Sequence, residues 1–88
     1  MEAVINDYIS REFVRDASLL PLGNATPLLE TDILDSLNLL RLVVFISERF
    51  GVTVDDLDLV PENFDSVDAI CAYLRSRDGD RAGRGGQP

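Results

Sequence analysis

Hydrophobic residues recur at helical spacing in three stretches of the chain. The first stretch, Glu2–Asp16, carries apolar side chains about one turn apart at Ile5, Tyr8, Ile9 and Phe13. The second stretch, Ser36–Phe50, is the strongest predicted helix. Asp35 or Ser36 can cap its start, and Gly51 can close its end in the left-handed conformation.

The third helical stretch lies toward the carboxyl end of the chain. It begins at a cap on Asp65 or Ser66, runs to about Arg77, and places apolar side chains on one side at Val67, Ile70, Cys71 and Leu74. A single helical turn is predicted just before it, at Pro61–Phe64. A strand signal at residues 52–54 is weak, because no other segment offers it a partner strand. These elements predict an all-α bundle of three main helices plus a short fourth.

A long segment without helical periodicity, residues 16–35, separates the first two helices. It contains turn-forming residues at Pro21, Gly23 and Pro27. It also carries apolar side chains at Leu19, Leu20, Leu22, Leu28, Leu29, Ile33 and Leu34. Since a free linker would be polar, we expect this long first loop to pack against the core.

The length of 88 residues corresponds to one small domain. We assign residues 1–77 to this domain. Residues 78–88 hold four of the six glycines and no apolar residue beyond Ala82, which predicts a disordered, glycine-rich tail.

Composition and charge exclude several classes of function. The chain has 8 basic residues, all arginine, against 16 acidic ones, for a net charge of −8. This balance disfavours nucleic acid and anionic membranes and favours basic partner surfaces. Without histidine and with a single cysteine, the chain cannot build a histidine-dependent catalytic triad, a His-based metal site or an internal disulfide. No secretory or membrane-spanning pattern is present, so we expect a cytoplasmic, non-enzymatic domain without a metal.

The second predicted helix is apolar on two sides. At about 100° per residue, one side forms a core face made of Leu39, Leu42, Val43, Ile46 and Phe50. The opposite side carries an apolar patch, which consists of Leu37, Leu40 and Val44, and its flanks are Arg41, Ser47 and Glu48. We call these six residues the outer face. The helix is either buried all round or docks a partner through this face, and the small size of the domain favours docking.

Ser36 stands at the start of this helix, where a serine is by default only an N-cap. It is a poor candidate for a catalytic nucleophile, because the chain lacks a histidine or lysine to serve as its base. Covalent modification by another enzyme suits it better. A phosphodiester on its hydroxyl would lie at a helix N-terminus, where backbone N–H groups and the helix dipole favour negative charge.

Three short motifs in a fixed order resemble those of acyl carrier proteins. They are Asp35-Ser36-Leu37 at a helix start, Phe50-Gly51-Val52 at its end, and a closing Asn63-Phe64-Asp65-Ser66-Val67. The resemblance covers Glu2 to about Arg77. It implies a four-helix bundle in which Ser36, flanked by Asp35 and Leu37, accepts 4′-phosphopantetheine from coenzyme A. The thiol of this arm would hold acyl or aminoacyl groups as thioesters.

The resemblance also implies the partners. A phosphopantetheinyl transferase would modify Ser36, an acyltransferase or an adenylating ligase would load the arm, and downstream synthase enzymes would use the cargo. The family's second helix is its main recognition surface, which corresponds here to the outer face. Glu48 is the only acid within 37–50, whereas carriers of fatty-acid synthesis have a strongly acidic second helix. The chain is more similar to discrete carriers of polyketide and non-ribosomal peptide assembly, and we expect a free-standing monomer.

Two hypotheses stay open at this level. The first is a covalent carrier modified at Ser36. The second is a non-covalent helical adaptor that binds a partner through Leu37, Leu40 and Val44, with Ser36 serving only as a cap. Cys71 lies on the core stripe of the last helix, so we interpret it as a small buried hydrophobe.

Overall fold

The computed structural model describes residues 1–85, with side chains described as far as Arg77. Its helices are α1 (Glu2–Glu12), α2 (Ser36–Phe50), α3 (Pro61–Phe64) and α4 (Val67–Gly85). Two 3₁₀ turns, Ala17–Leu19 and Asp56–Asp58, interrupt the connections that precede α2 and α3. No β-strand occurs within residues 1–85, so the weak strand signal at residues 52–54 was wrong. The prediction of an all-α bundle with three long helices and a short fourth is confirmed.

Helix α1 ends at Glu12, four residues before the predicted end at Asp16. The Asp16 side chain accepts a hydrogen bond from the backbone N–H of Ser18 at 3.0 Å, and this cap starts the first 3₁₀ turn. An aspartate that bonds the backbone two residues ahead competes with helix continuation. The hydrophobic periodicity therefore predicted α1 correctly. Its carboxyl end differs from the prediction because Asp16 makes a local side-chain hydrogen bond.

Helix α4 begins where the sequence predicted but runs farther. The Ser66 hydroxyl accepts a hydrogen bond from the backbone N–H of Ala69 at 3.0 Å, which makes Ser66 rather than Asp65 the cap. The helix continues to Gly85, beyond the expected end near Arg77. A glycine inside a helix costs about 1 kcal/mol without stopping it. Residues 86–88 of the predicted tail lie outside the described residues, so the domain boundary at residue 77 stays a prediction.

The core draws side chains from every helix and from the first loop. Its buried residues are Ile5, Ile9, Phe13, Leu22, Leu28, Ile33, Leu34, Leu42, Ile46, Val52, Phe64, Val67, Ile70, Cys71 and Leu74. Four of them, at positions 22, 28, 33 and 34, belong to the first loop, which confirms that this loop packs on the core. Leu20 is the exception in the loop and remains 42% exposed.

Two hydrogen bonds to backbone groups of the first loop fasten it to α1 and to the residue that follows α3. The Asn6 side-chain amide donates to the carbonyl of Leu22 at 2.8 Å. Farther along the loop, the N–H of Leu28 donates to the carbonyl of Asp65 at 2.7 Å. These bonds hold the middle of the loop, and Ile33 and Leu34 are buried near its end, so the residues that lead into α2 have a fixed position.

Two side-chain contacts join α1 to its neighbours. The rings of Tyr8 and Phe45 stack with their centroids 3.8 Å apart, which packs α1 against α2. Arg75 of α4 pairs with Glu2 at 2.6 Å. The hydrogen bond from Arg75 lowers the pKa of the Glu2 carboxyl. Both members of this pair reach solvent, so we assign the bundle's stability mainly to the core.

Tyr73 supplies a pH-dependent contribution to stability. Its hydroxyl donates to the Asp58 carboxylate at 2.6 Å, and burial together with this hydrogen bond raises the pKa of Tyr73 to about 12. Since the folded-state pKa lies above the ordinary value of 10.0, the contribution is complete below pH 10 and is lost as the pH rises through 12. The urea midpoint should therefore fall more steeply over this range in the parent than in Tyr73→Phe. Parallel midpoint curves for the two proteins would contradict the assignment.

Candidate functional site

The candidate site is built around the first residue of α2. The Asp35 side chain accepts a hydrogen bond from the backbone N–H of Asn38 at 2.7 Å, so Asp35 is the N-cap. Ser36 is the first helical residue, is exposed, and its hydroxyl forms no hydrogen bond with any residue in the described part of the chain. The interpretation of Ser36 as merely a cap is therefore wrong. Asp35 caps the helix, and the hydroxyl of Ser36 stays available.

Buried residues and a hydrogen bond fix the segment that precedes Ser36. Ile33 and Leu34 are 4% and 2% exposed, and together they anchor the segment that leads into the helix. The Asn38 side-chain amide donates to the carbonyl of Ile33 at 3.2 Å. Asp32 has a φ of 58°, a left-handed conformation that is uncommon outside glycine and turns the chain toward the helix start. The hydroxyl thus stands on a positioned backbone and not on a mobile loop.

The far end of α2 closes as its sequence predicts. Gly51 adopts a φ of 68°, and its N–H donates to the carbonyl of Ser47 at 3.0 Å. A glycine takes this conformation without the steric cost that other residues meet. The helix that presents Ser36 is therefore fixed at both ends.

The electrostatics around Ser36 suit an attached anion. Free backbone N–H groups and the positive end of the dipole lie at the start of α2. The Asp35 carboxylate is already engaged as the cap, and the chain has no histidine to act as a base. The exposed hydroxyl therefore fits a covalently attached phosphodiester.

The outer face of α2 reaches solvent. Leu37, Leu40 and Val44 are 66%, 55% and 56% exposed. The alternative that α2 is buried on all sides is therefore wrong. The apolar patch, which begins next to Ser36, is exposed to solvent in the described structure. Arg41 and Glu48 are exposed beside it, whereas Ser47 is only partly accessible.

Arg41 leans away from the centre of the outer face and toward α1. Its guanidinium lies 5.3 Å from the centre of the Phe13 ring and 3.6 Å from the Glu12 carboxylate. Both partners belong to the end of α1, so Arg41 is at the edge of the face. Periodicity within α2 could not show this contact, since it depends on where α1 stops.

A cleft of about 360 Å³ lies between the end of α1, the first loop and the start of α2. We call it the α1–α2 cleft, and the lining residues used below are Phe13, Arg15, Leu19, Asp32, Leu37 and Arg41. The sequence offered no signal for Arg15 or Asp32, because the cleft forms from segments that come together only in the fold. It adjoins the candidate site.

Cys71 takes no part in this site. Its side chain is fully buried in the core, and burial raises the pKa of its thiol. Its interpretation as a small buried hydrophobe is confirmed. A thiol-specific aromatic disulfide should therefore react with the native, unmodified protein on the order of 10³-fold more slowly than with the urea-unfolded chain. Equal rates in the two states would contradict the burial of Cys71.

The described residues contain neither a candidate metal site nor a candidate membrane span. No group of three or more His, Cys, Asp or Glu side chains in the described residues could hold a metal ion. Within the same part of the chain, no helix is both long and apolar enough to cross a membrane.

The fold and the site define the class of protein as a small helical bundle that presents an exposed serine at the start of its second long helix. Residues 11–74 match the model of the PP-binding family, the phosphopantetheine attachment site. Because the match covers well over half of the chain, the protein belongs to this family, whose members bind 4′-phosphopantetheine covalently. A search of curated proteins found no significant match. The protein is thus a phosphopantetheine-bearing carrier, as its resemblance to acyl carrier proteins implied.

Proposed function

We propose that Ser36 is the residue to which phosphopantetheine is attached. The observation that carries this proposal is the exposed, unbonded hydroxyl at the first position of α2, next to a cap made by Asp35. Three other serines, Ser10, Ser18 and Ser66, use their hydroxyls in hydrogen bonds. The remaining two, Ser47 and Ser76, lie inside helices, where the dipole does not favour an anion in the same way.

The protein then serves as a carrier of acyl or aminoacyl groups. Attachment forms a bond from Ser36 Oγ to phosphorus and breaks the phosphoanhydride of coenzyme A, and the serine proton passes to a base of the transferase. When attached, the arm supplies a thiol that holds the cargo as a thioester. The chain's own contribution is to position the hydroxyl, to favour the phosphodiester at the helix start and to present a surface that partner enzymes recognise.

The outer face of α2 is the surface we assign to those partners. Its apolar patch, which borders Ser36, is exposed, and Arg41 and Glu48 flank it. Charge at an interface rim governs partner choice and association rate more than affinity. Since α2 carries Arg41 and Arg49 against Glu48 alone, its partners differ from those of a strongly acidic second helix. This balance supports a place in polyketide or non-ribosomal peptide biosynthesis, with loading by an acyltransferase or an adenylating ligase.

A matched pair of variants tests the assignment of the outer face. Leu40→Asp places a charge in the apolar patch, whereas Leu57→Asp makes the same change at an 85% exposed leucine outside α2. Leu40→Asp should raise the KM of a phosphopantetheinyl transferase for the protein by about tenfold, the effect of losing one apolar contact of about 1.4 kcal/mol. Leu57→Asp should leave the KM near that of the parent. Equal effects of the two changes would remove the patch as a docking surface.

A further inference from the structure

The α1–α2 cleft borders the attachment residue directly. Asp35 and Leu37, the residues on either side of Ser36, both line it. Phe13 and Leu19 close it from the end of α1 and the turn that follows. Its volume of about 360 Å³ lies within the range of sites that hold small molecules, about 300–1,000 Å³. A group attached to Ser36 can therefore enter the cleft beside Leu37 without crossing Leu40 or Val44, which do not line it.

Two arginines, Arg15 and Arg41, line the cleft. Arg15 is exposed and forms no ion pair with any acid in the described part of the chain. Arg41 is only loosely paired, with 3.6 Å separating its guanidinium from the Glu12 carboxylate and both side chains nearly half exposed. Guanidinium groups bind phosphate oxygens well because their N–H donors form a planar fork.

Two of the three acids that line the cleft accept hydrogen bonds from neighbouring backbone or hydroxyl groups. Asp16 accepts hydrogen bonds from the backbone and the hydroxyl of Ser18, and Asp35 caps α2. Asp32 keeps a carboxylate without a partner among the described residues. The cleft therefore places two arginines beside three carboxylates, of which only that of Asp32 has no hydrogen-bond partner among the described residues.

The chemistry of the phosphopantetheine arm matches this lining. The arm begins with a phosphodiester and continues with a geminal dimethyl group, a hydroxyl and two amides. The arginines can pair with the phosphodiester, and the Asp32 carboxylate can accept from the hydroxyl or an amide. The rings and methyl groups of Phe13, Leu19 and Leu37 supply apolar contacts for the geminal methyls.

We infer that the α1–α2 cleft holds the phosphopantetheine arm when no partner enzyme is bound, with Arg15 and Arg41 as positioning residues that pair with its phosphodiester. This inference rests on the proposed attachment at Ser36. The arm then lies on the α1 side of α2 and leaves Leu40 and Val44 of the apolar patch open. A partner can dock before the arm leaves the cleft.

Nuclear magnetic resonance of the phosphopantetheine-loaded protein tests this inference. With isotope-labelled protein and an unlabelled arm, the geminal methyl protons should show nuclear Overhauser contacts to the side chains of Phe13 and Leu19. Attachment should also shift the backbone amides around residues 13–19 and 31–33. Contacts to α3 or α4 instead, or amide shifts confined to residues 35–38, would overturn the inference.

Two arginine variants provide the matched comparison. Arg15→Gln should weaken the contacts by lowering the population of the held arm about two- to fivefold, as expected for the loss of one exposed charge pair. Arg11→Gln removes an exposed arginine that pairs with Asp7 and does not line the cleft, so it should leave the contacts unchanged. Equal contacts in the parent and both variants would exclude the role of Arg15.

Intact-protein mass distinguishes a failure of the proposed attachment from a failure of the inferred arm position. If no phosphopantetheine is added at Ser36, the proposed function fails before the arm can be observed. If the arm is present by mass but shows no contact with the cleft, the attachment stands and only its resting position is wrong.

Discussion

Replacing Ser36 with alanine should abolish the attachment of phosphopantetheine and leave the fold intact. The reaction needs a hydroxyl oxygen at this position, and no neighbouring side chain can supply it: Asp35 is a capping carboxylate and Leu37 is apolar. The Ser36 hydroxyl makes no hydrogen bond with any described residue, so its loss should change the free energy of unfolding by less than about 0.5 kcal/mol. Intact-protein mass and urea unfolding measure the two effects.

Ser66→Ala is the matched control, because it makes the same chemical change at the start of another helix. Ser66 caps α4 through a 3.0 Å hydrogen bond to the N–H of Ala69, so this variant should lose about 0.5–2 kcal/mol of stability. It should still accept phosphopantetheine to the same extent as the parent. Loading of Ser36→Ala would move the attachment to another residue, and a large loss of its stability would mean that Ser36 has a structural role after all.

Truncating Leu42 should destabilise the domain more than any surface change. Leu42 is fully buried in the middle of α2, and leucine-to-alanine changes at such positions cost about 2–5 kcal/mol. A domain of 88 residues buries only about 60% of the surface that its unfolded chain exposes, so its total stability is small. We therefore expect Leu42→Ala to be substantially unfolded at physiological temperature, as measured by far-ultraviolet circular dichroism.

Leu40→Ala gives the comparison within the same helix. Leu40 lies two residues away and is 55% exposed, so its truncation should change the free energy of unfolding by less than about 0.5 kcal/mol. It should nevertheless weaken recognition by the transferase, because Leu40 belongs to the apolar patch. Similar unfolding curves for the two variants would contradict the division of α2 into a core face and an outer face.

Much of this fold could be predicted from local patterns. The bounds of α2 and α3 follow from caps and turn residues within a few positions of each end: Asp35, Gly51 and Pro61. The helical period also separated Leu42 from Leu40, and the structure buries one and exposes the other. These features depend on interactions between near neighbours, which a single sequence displays directly.

The remaining features depend on contacts between distant segments or on competing side-chain bonds. The cap on Asp16 ends α1 early, and no periodicity could announce it. Arg41 faces α1 because the fold places Glu12 and Phe13, at the end of α1, next to its guanidinium. The sequence left two cap candidates at the start of α2, and the hydrogen bond from the Asn38 N–H identifies Asp35 as the cap.

The central claim is that Ser36 carries a phosphopantetheine arm, and the most direct measurement is the mass of the modified protein and of its peptides. The purified protein would be incubated with coenzyme A, magnesium and a promiscuous phosphopantetheinyl transferase shown to be active on another carrier. We predict a gain of one phosphopantetheinyl group, located by fragmentation on the peptide that contains Ser36. No gain, or a gain on a peptide without Ser36, would contradict the claim.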